Sequence, residues 1–91
     1  MNEVIFHDKL LSIDDYAFFL CENLAKADVP NSVEFVGESA FSRCYNLKEA
    51  HIPEKLTAIP PGLFEYGYQL EKVNIPSTVT SIGNSAFRYC R

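Results

Sequence analysis

The sequence predicts a right-handed α/β-class solenoid of stacked coils, each with one short parallel β-strand and an irregular or 3₁₀ return on the convex side. Three observations lead there. The chain of 91 residues is self-similar at a period of 23 residues. Within each period, apolar residues alternate briefly and then stop at a proline, as in Ala50-His51-Ile52-Pro53 and Val73-Asn74-Ile75-Pro76. A phenylalanine also recurs at one fixed place, as Phe18, Phe41, Phe64 and Phe87.

Residues 23–45, 46–68 and 69–91 form three full blocks without insertion, and residues 1–22 fit the same frame with only the opening position missing. The frame therefore spans 1–91 as a single repeat domain with no linker. The second position of the block holds Met1, Leu24, Leu47 and Leu70. The fifth holds Val4, Ala27, Ala50 and Val73, and the seventh holds Phe6, Val29, Ile52 and Ile75. That period of two is the signature of a short strand buried on one face. Pro30, Pro53 and Pro76 follow at once, where His7 stands in the first block, and a proline cannot donate to a further ladder bond. Later apolar columns are Leu10, Val33, Leu56, Val79 and then Ile13, Val36, Ile59, Ile82. Gly37 and Gly83 come next and suggest a tight turn, with Asp14 and Pro60 as variants. The columns Ala17, Ala40, Leu63, Ala86 and the four phenylalanines close the block. One block has too few apolar side chains to make a core. Stacked about 4.8 Å apart along a parallel sheet, like residues over like make a continuous one.

Composition excludes several classes. At 47% hydrophobic and 22% charged residues, the chain is too apolar to be disordered. No apolar run approaches the ~18 residues of a membrane helix, so no membrane insertion is expected. The N-terminal residues lack the basic and apolar regions of a secretory signal. A net charge of −4 argues against nucleic acid as a partner. Cys21, Cys44 and Cys90 fall in one core column, with Gly67 in the gap, and their side chains should point the same way rather than at one another. Buried thiols are expected, not disulfides. With no CxxC spacing and the histidines far off in the frame, no metal or other cofactor is expected.

The run Leu70-x-x-Val73-x-Ile75-Pro76-x-x-Val79-x-x-Ile82-Gly83-x-x-Ala86-Phe87-x-x-Cys90 resembles the BspA-type leucine-rich repeat. The Ala-Phe-x-x-Cys element, the hallmark of that family, stands as Ala17-Phe18 with Cys21, Ala40-Phe41 with Cys44, and Ala86-Phe87 with Cys90. The third block departs from it with Leu63-Phe64 and Gly67. The resemblance covers the whole chain. It implies a leucine-rich-repeat solenoid that binds protein ligands, in the manner of adhesive surface proteins of bacteria and some protozoa. It also implies the cell surface, whereas the absent signal sequence and odd cysteine count are compatible with the cytoplasm.

Candidate binding residues follow from the frame. Position four reads Glu3, Lys26, Glu49, Lys72, alternating in sign, and position six reads Ile5, Asp28, His51, Asn74. Both point out of the strands onto the concave face, where opposite charges on neighbouring strands stabilise by ~0.2–1 kcal/mol. Asp28 beside His51 has the pairing of a catalytic base, but no Ser, Thr or Cys nucleophile shares that face. A non-catalytic protein-binding module is therefore preferred to a hydrolase. Tyr45 and Tyr68 at position 23, with Tyr66 and Tyr89 at position 21, flank the sheet and extend the candidate surface. The alternative is a structural spacer that self-associates through uncapped ends. Residues 1–22 carry five acids and one base, whereas residues 69–91 carry one acid and three bases, so unlike ends attract.

Overall fold

A computed structural model describes Phe6 and residues 8–90. Expectations for Met1, Glu3, Val4, Ile5, His7 and Arg91 lie outside the described residues. The strands in chain order are β1 (Ser12–Ile13), β2 (Lys26–Asp28), β3 (Phe35–Val36), β4 (Glu49–His51), β5 (Ala58–Ile59), β6 (Lys72–Asn74) and β7 (Ser81–Ile82). The expected solenoid of parallel strands is present. Strands β2, β4 and β6 form one parallel sheet in the register Lys26↔Glu49↔Lys72 and Asp28↔His51↔Asn74. Each partner lies one 23-residue period from the last. Ala27 and Ala50 turn inward and are buried, while their neighbours face outward. This is the pleat that the alternation of apolar and polar residues demands.

Each coil carries more regular structure than the single strand expected. A second, two-residue strand pairs β1 with β3 and β5 with β7, both parallel. The two pairs do not join. Their ladders include bonds from Gly37 N–H to Ile13 O at 2.8 Å and from Gly83 N–H to Ile59 O at 2.7 Å. At the same repeat position the intervening coil has Pro60, which has no N–H to give, so the ladder is interrupted between β3 and β5.

The return path contains no helix among the described residues; it is a chain of tight turns. Two residues per coil adopt left-handed backbone: Tyr16, Ser39, Gly62 and Ser85 at one position, and Leu20, Arg43, Tyr66 and Tyr89 at another, with φ between 55° and 66°. Between and around them, alternate N–H groups donate to the following coil, for example Phe18 to Ala40 O at 2.8 Å and Phe64 to Ala86 O at 2.8 Å. Bonds within a coil, such as Phe19 N–H to Tyr16 O at 3.1 Å and Ser42 N–H to Ser39 O at 3.1 Å, alternate with these, so the convex backbone is satisfied both within and between coils.

The core is the set of stacked columns. Leu24, Val33, Ala40, Phe41, Cys44 and Ile59 are all but sealed from solvent. The phenylalanine rings stack at centroid separations of 5.2 Å (Phe18–Phe41), 6.0 Å (Phe41–Phe64) and 5.6 Å (Phe64–Phe87). The columns open at the C-terminal end. Ile59 is 1% exposed but Ile82, one coil on, is 57% exposed; Ile52 is 2% and Ile75 47%. Burial here depends on the coil that follows, as nearest-neighbour stacking requires.

Candidate functional site

The short strand β2 puts Lys26 and Asp28 on the outer face, β4 adds Glu49 and His51, and β6 adds Lys72 and Asn74. Together these six side chains surround a shallow hollow of about 500 Å³ on the concave sheet, joined at its edge by Glu71. Of the alternating charges, Lys72 and Glu49 form an ion pair at 3.9 Å, with both side chains largely in solvent. Such a pair contributes little to stability. Lys26 and Asp28 are exposed and have no side-chain partner among the described residues, so β2 offers one unspent charge of each sign.

Position six is less uniform than its place in the frame suggests. His51 is in register with Asp28, but its ring bonds elsewhere: Nε2 donates to Asn31 Oδ1 at 3.0 Å. Asn31 Oδ1 also accepts the Glu54 N–H at 3.1 Å. Asn74 is occupied by backbone, with Oδ1 accepting from Ile52 N–H at 2.8 Å and Nδ2 donating to Ile52 O at 3.1 Å. It closes the end of β4, where Pro53 interrupts the run of donors. Asn31 escapes sequence reasoning because it lies outside the strand columns; only an asparagine directly after Pro30, a turn-former in a turn, marks it.

The tyrosines form two columns of their own, and none of the four lines the concave hollow. Tyr45 stacks on Tyr68 at 5.6 Å and Tyr66 on Tyr89 at 4.9 Å, with Tyr66 and Tyr68 edge to face at 6.2 Å. Guanidinium groups interleave with them: Arg43 lies 4.2 Å over the Tyr66 ring and Arg88 4.8 Å over Tyr89. Arg43 donates to the Tyr45 hydroxyl at 3.4 Å and Arg88 to the Tyr89 hydroxyl at 3.1 Å, and each bond raises the pKa of its guanidinium above the usual value. Cation–π contact and shared hydrogen bonds hold these rings in place. The repeat frame does not single out the arginines, because Arg43 shares position 21 with Leu20, Tyr66 and Tyr89, and Arg88 shares position 20 with Phe19, Ser42 and Glu65.

All three cysteines are free thiols. Cys44 Sγ donates to Phe18 O at 3.2 Å and Cys90 Sγ to Phe64 O at 3.1 Å, so each reaches back to the coil before it. Burial pushes the Cys44 thiol up to about 12. An unfolded thiol ionises near pH ~8.5. Between those two values the unfolded chain has lost a proton that the folded chain keeps, and alkali therefore favours unfolding. The contribution of Cys44 is complete below pH ~8.5 and should decline as pH rises toward 12, by up to ~1.4 kcal/mol per pH unit. Urea unfolding at pH 8 and pH 10 would show it, and Cys44→Ala should flatten the dependence. In the native state, the half-buried Cys21 and Cys90 should react with a thiol reagent before Cys44 does.

Among the described residues, no three His, Cys, Asp or Glu side chains gather as a metal site, and no helix is long and apolar enough to cross a membrane.

Comparison with known proteins places this geometry. A family model described as BspA type leucine rich repeat region, in six copies, matches residues 1–91. The chain is similar to a leucine-rich repeat protein of Treponema pallidum at 31% identity and TM-score 0.91, over 96% of this chain and 41% of that one. It is similar to a leucine-rich repeat protein of Bacteroides ovatus at 32% identity and TM-score 0.86, over 89% of this chain and 21% of that one. It is also similar to a leucine-rich cell surface protein of Faecalibacterium prausnitzii at 27% identity and TM-score 0.91, over 97% of this chain and 23% of that one. The chain thus spans less than half the length of these three proteins. No curated protein matches it.

Proposed function

The chain belongs to the BspA-type leucine-rich repeat family, and on that premise we propose that it is a non-catalytic module that binds a protein segment of mixed charge on its concave sheet. One observation carries the reading: β2 presents Lys26 and Asp28, unpaired among the described residues, at the rim of a hollow that Glu49, His51 and Lys72 also line. A partner segment of opposite pattern would gain charge-assisted bonds there without stripping the module of an internal pair. The flank of Tyr45, Tyr66, Tyr68 and Tyr89 supplies a second, aromatic contact surface, since Tyr68 and Tyr89 are about half exposed and already ordered by stacking. A place at the cell surface fits the description of the Faecalibacterium relative, and adhesion is the use of binding that such a place suggests.

The reading is tested on an array of immobilised short peptides that differ in charge pattern. Peptides held by the chain should bind about tenfold more weakly to the Lys26→Glu/Lys72→Glu variant, equivalent to ~1.4 kcal/mol, at an unchanged melting temperature. Undiminished binding by that variant would remove the concave sheet from the interaction. A spacer that serves only to extend a larger assembly, the second reading, would keep its assembly under the same double reversal; the greater length of the three similar leucine-rich repeat proteins favours it.

A further inference from the structure

Two tyrosine hydroxyls on the flank are each paired with a guanidinium, and the direction of the bond leaves a donor to spare. Arg43 Nη1 donates to the Tyr45 hydroxyl and Arg88 Nη2 to the Tyr89 hydroxyl. A phenol that accepts keeps its own O–H to give, and neither O–H has an acceptor among the described residues. A bond from a cation also polarises the phenol and strengthens it as a donor. Each pair therefore presents a positive charge beside an oriented O–H.

The cations are held in place before any ligand arrives. Arg43 is braced on the Tyr66 ring and Arg88 on the Tyr89 ring, so little side-chain freedom remains to be lost on binding. Their charge is not equally spent. Arg88 reaches Glu65 at 4.0 Å, as Lys55 and Lys72 reach carboxylates of their own, but Arg43 has no ion pair among the described residues. Arg43 and Tyr45 belong to the second coil, between described coils, and are still half-exposed. The flank thus faces solvent within the stack, whatever adjoins its ends. The two pairs are joined by the Tyr66–Tyr89 stack and lie two coils apart, about 10 Å along a parallel sheet. That is close to the length of one disaccharide, the interval at which a sulfated polysaccharide repeats its charge.

We propose that this flank is a binding site for the sulfate monoesters of an anionic polysaccharide, with Arg43 and Tyr45 as the principal seat and Arg88 and Tyr89 as the second. The oxygens of one sulfate accept from guanidinium and phenol together, in charge-assisted bonds. Sulfate suits arginine better than a carboxylate does, because both ions are weakly hydrated and give up little water on pairing. Linking two sulfates on one polymer makes the second contact intramolecular. That gain offsets the general repulsion between a polyanion and a chain of net charge −4.

Titration of the full chain with dextran sulfate at low salt, followed by tyrosine fluorescence and calorimetry, tests this. The chain has no tryptophan, and four of its five tyrosines lie on this flank, so the emission reports the site. Dextran sulfate should bind and change the emission, uncharged dextran should do neither, and inorganic sulfate should compete only at far higher concentration. Arg43→Gln/Arg88→Gln should weaken binding at least tenfold. Arg43→Lys/Arg88→Lys keeps the net charge but loses the planar fork, and should weaken it nearly as much. Tyr45→Phe/Tyr89→Phe keeps the rings and removes only the hydroxyls, for a loss of about threefold. All three pairs should keep the melting temperature. No binding of dextran sulfate, full affinity in the lysine or the phenylalanine pair, or equal affinity for polyglutamate of matched charge would each overturn the proposal. The peptide test reads Lys26 and Lys72, and this one reads the arginines and hydroxyls, so the two readings fail independently.

Discussion

Replacing Phe41 by alanine should remove ~3–5 kcal/mol of stability, a large part of the ~5–15 kcal/mol that holds a typical domain folded. Phe41 is 2% exposed and lies between two other rings, nearly parallel to Phe18 and tilted 20° from Phe64. Truncation therefore loses contacts on both faces and leaves a cavity in the middle of the phenylalanine column. Local collapse cannot fill it, because the neighbouring coils are fixed by the forward bonds of Phe18 and Phe41 themselves. Phe87→Ala offers the internal comparison: that ring is only partly buried and has one ring neighbour, so its loss should be clearly smaller. Urea unfolding followed by circular dichroism separates the two. Equal losses at Phe41 and Phe87 would mean that the column does not act as a nearest-neighbour stack.

The parts of this structure that a sequence can announce are those where chemistry repeats. Residues at one repeat position meet the same neighbours in each interior coil, so the phenylalanine and cysteine columns and the Lys26–Glu49–Lys72 register follow from the period alone. What breaks the period is less legible. Pro60 reads as a turn variant beside Gly37 and Gly83, yet its consequence is a missing donor that divides one ladder into two pairs. The left-handed turn positions are nearly invisible, because Tyr16, Leu20, Arg43, Tyr66 and Tyr89 are bulky residues that disfavour positive φ. The first four are held there by bonds to the next coil, a tertiary cause that no local pattern announces.

The candidate site divides along the same line. Which side chains face the concave hollow is set by strand alternation and was readable residue by residue. How each is engaged is not. Register alone places Asp28 opposite His51, but the ring is taken by Asn31 from the turn after β2, and Asn74 grips the backbone of the coil before it. Side-chain amides bond to whatever backbone lies within reach, so their partners depend on turn geometry that the repeat does not encode. The tyrosines stack as two columns because Tyr45 and Tyr68, and Tyr66 and Tyr89, each lie one 23-residue period apart.

Gly37→Ala should lower the melting temperature by at least about 4 °C, the shift expected of ~1 kcal/mol in a domain of this size, and its full cost should fall in the ~1–3 kcal/mol range of an overpacked core. The reason differs from the tight turn that a glycine after Val36 suggests. A methyl group at Gly37 would run into the backbone nitrogen of Asp15 and approach Asp14 C to 2.6 Å. At Gly83 it would come within 2.5 Å of Pro61 N and 2.8 Å of Pro60 C. Both obstacles are backbone of the preceding coil, which has no rotamer to change. Relief requires the coils to part, and that breaks the Gly37 N–H to Ile13 O bond. The damage should be local in its first effect. Hydrogen exchange should show lost protection at the amide of residue 37, while amides of the β2–β4–β6 sheet, on the other side of the coil, keep theirs. An alanine variant with an unchanged melting temperature and a protected amide at position 37 would show that the coils are not in backbone contact there.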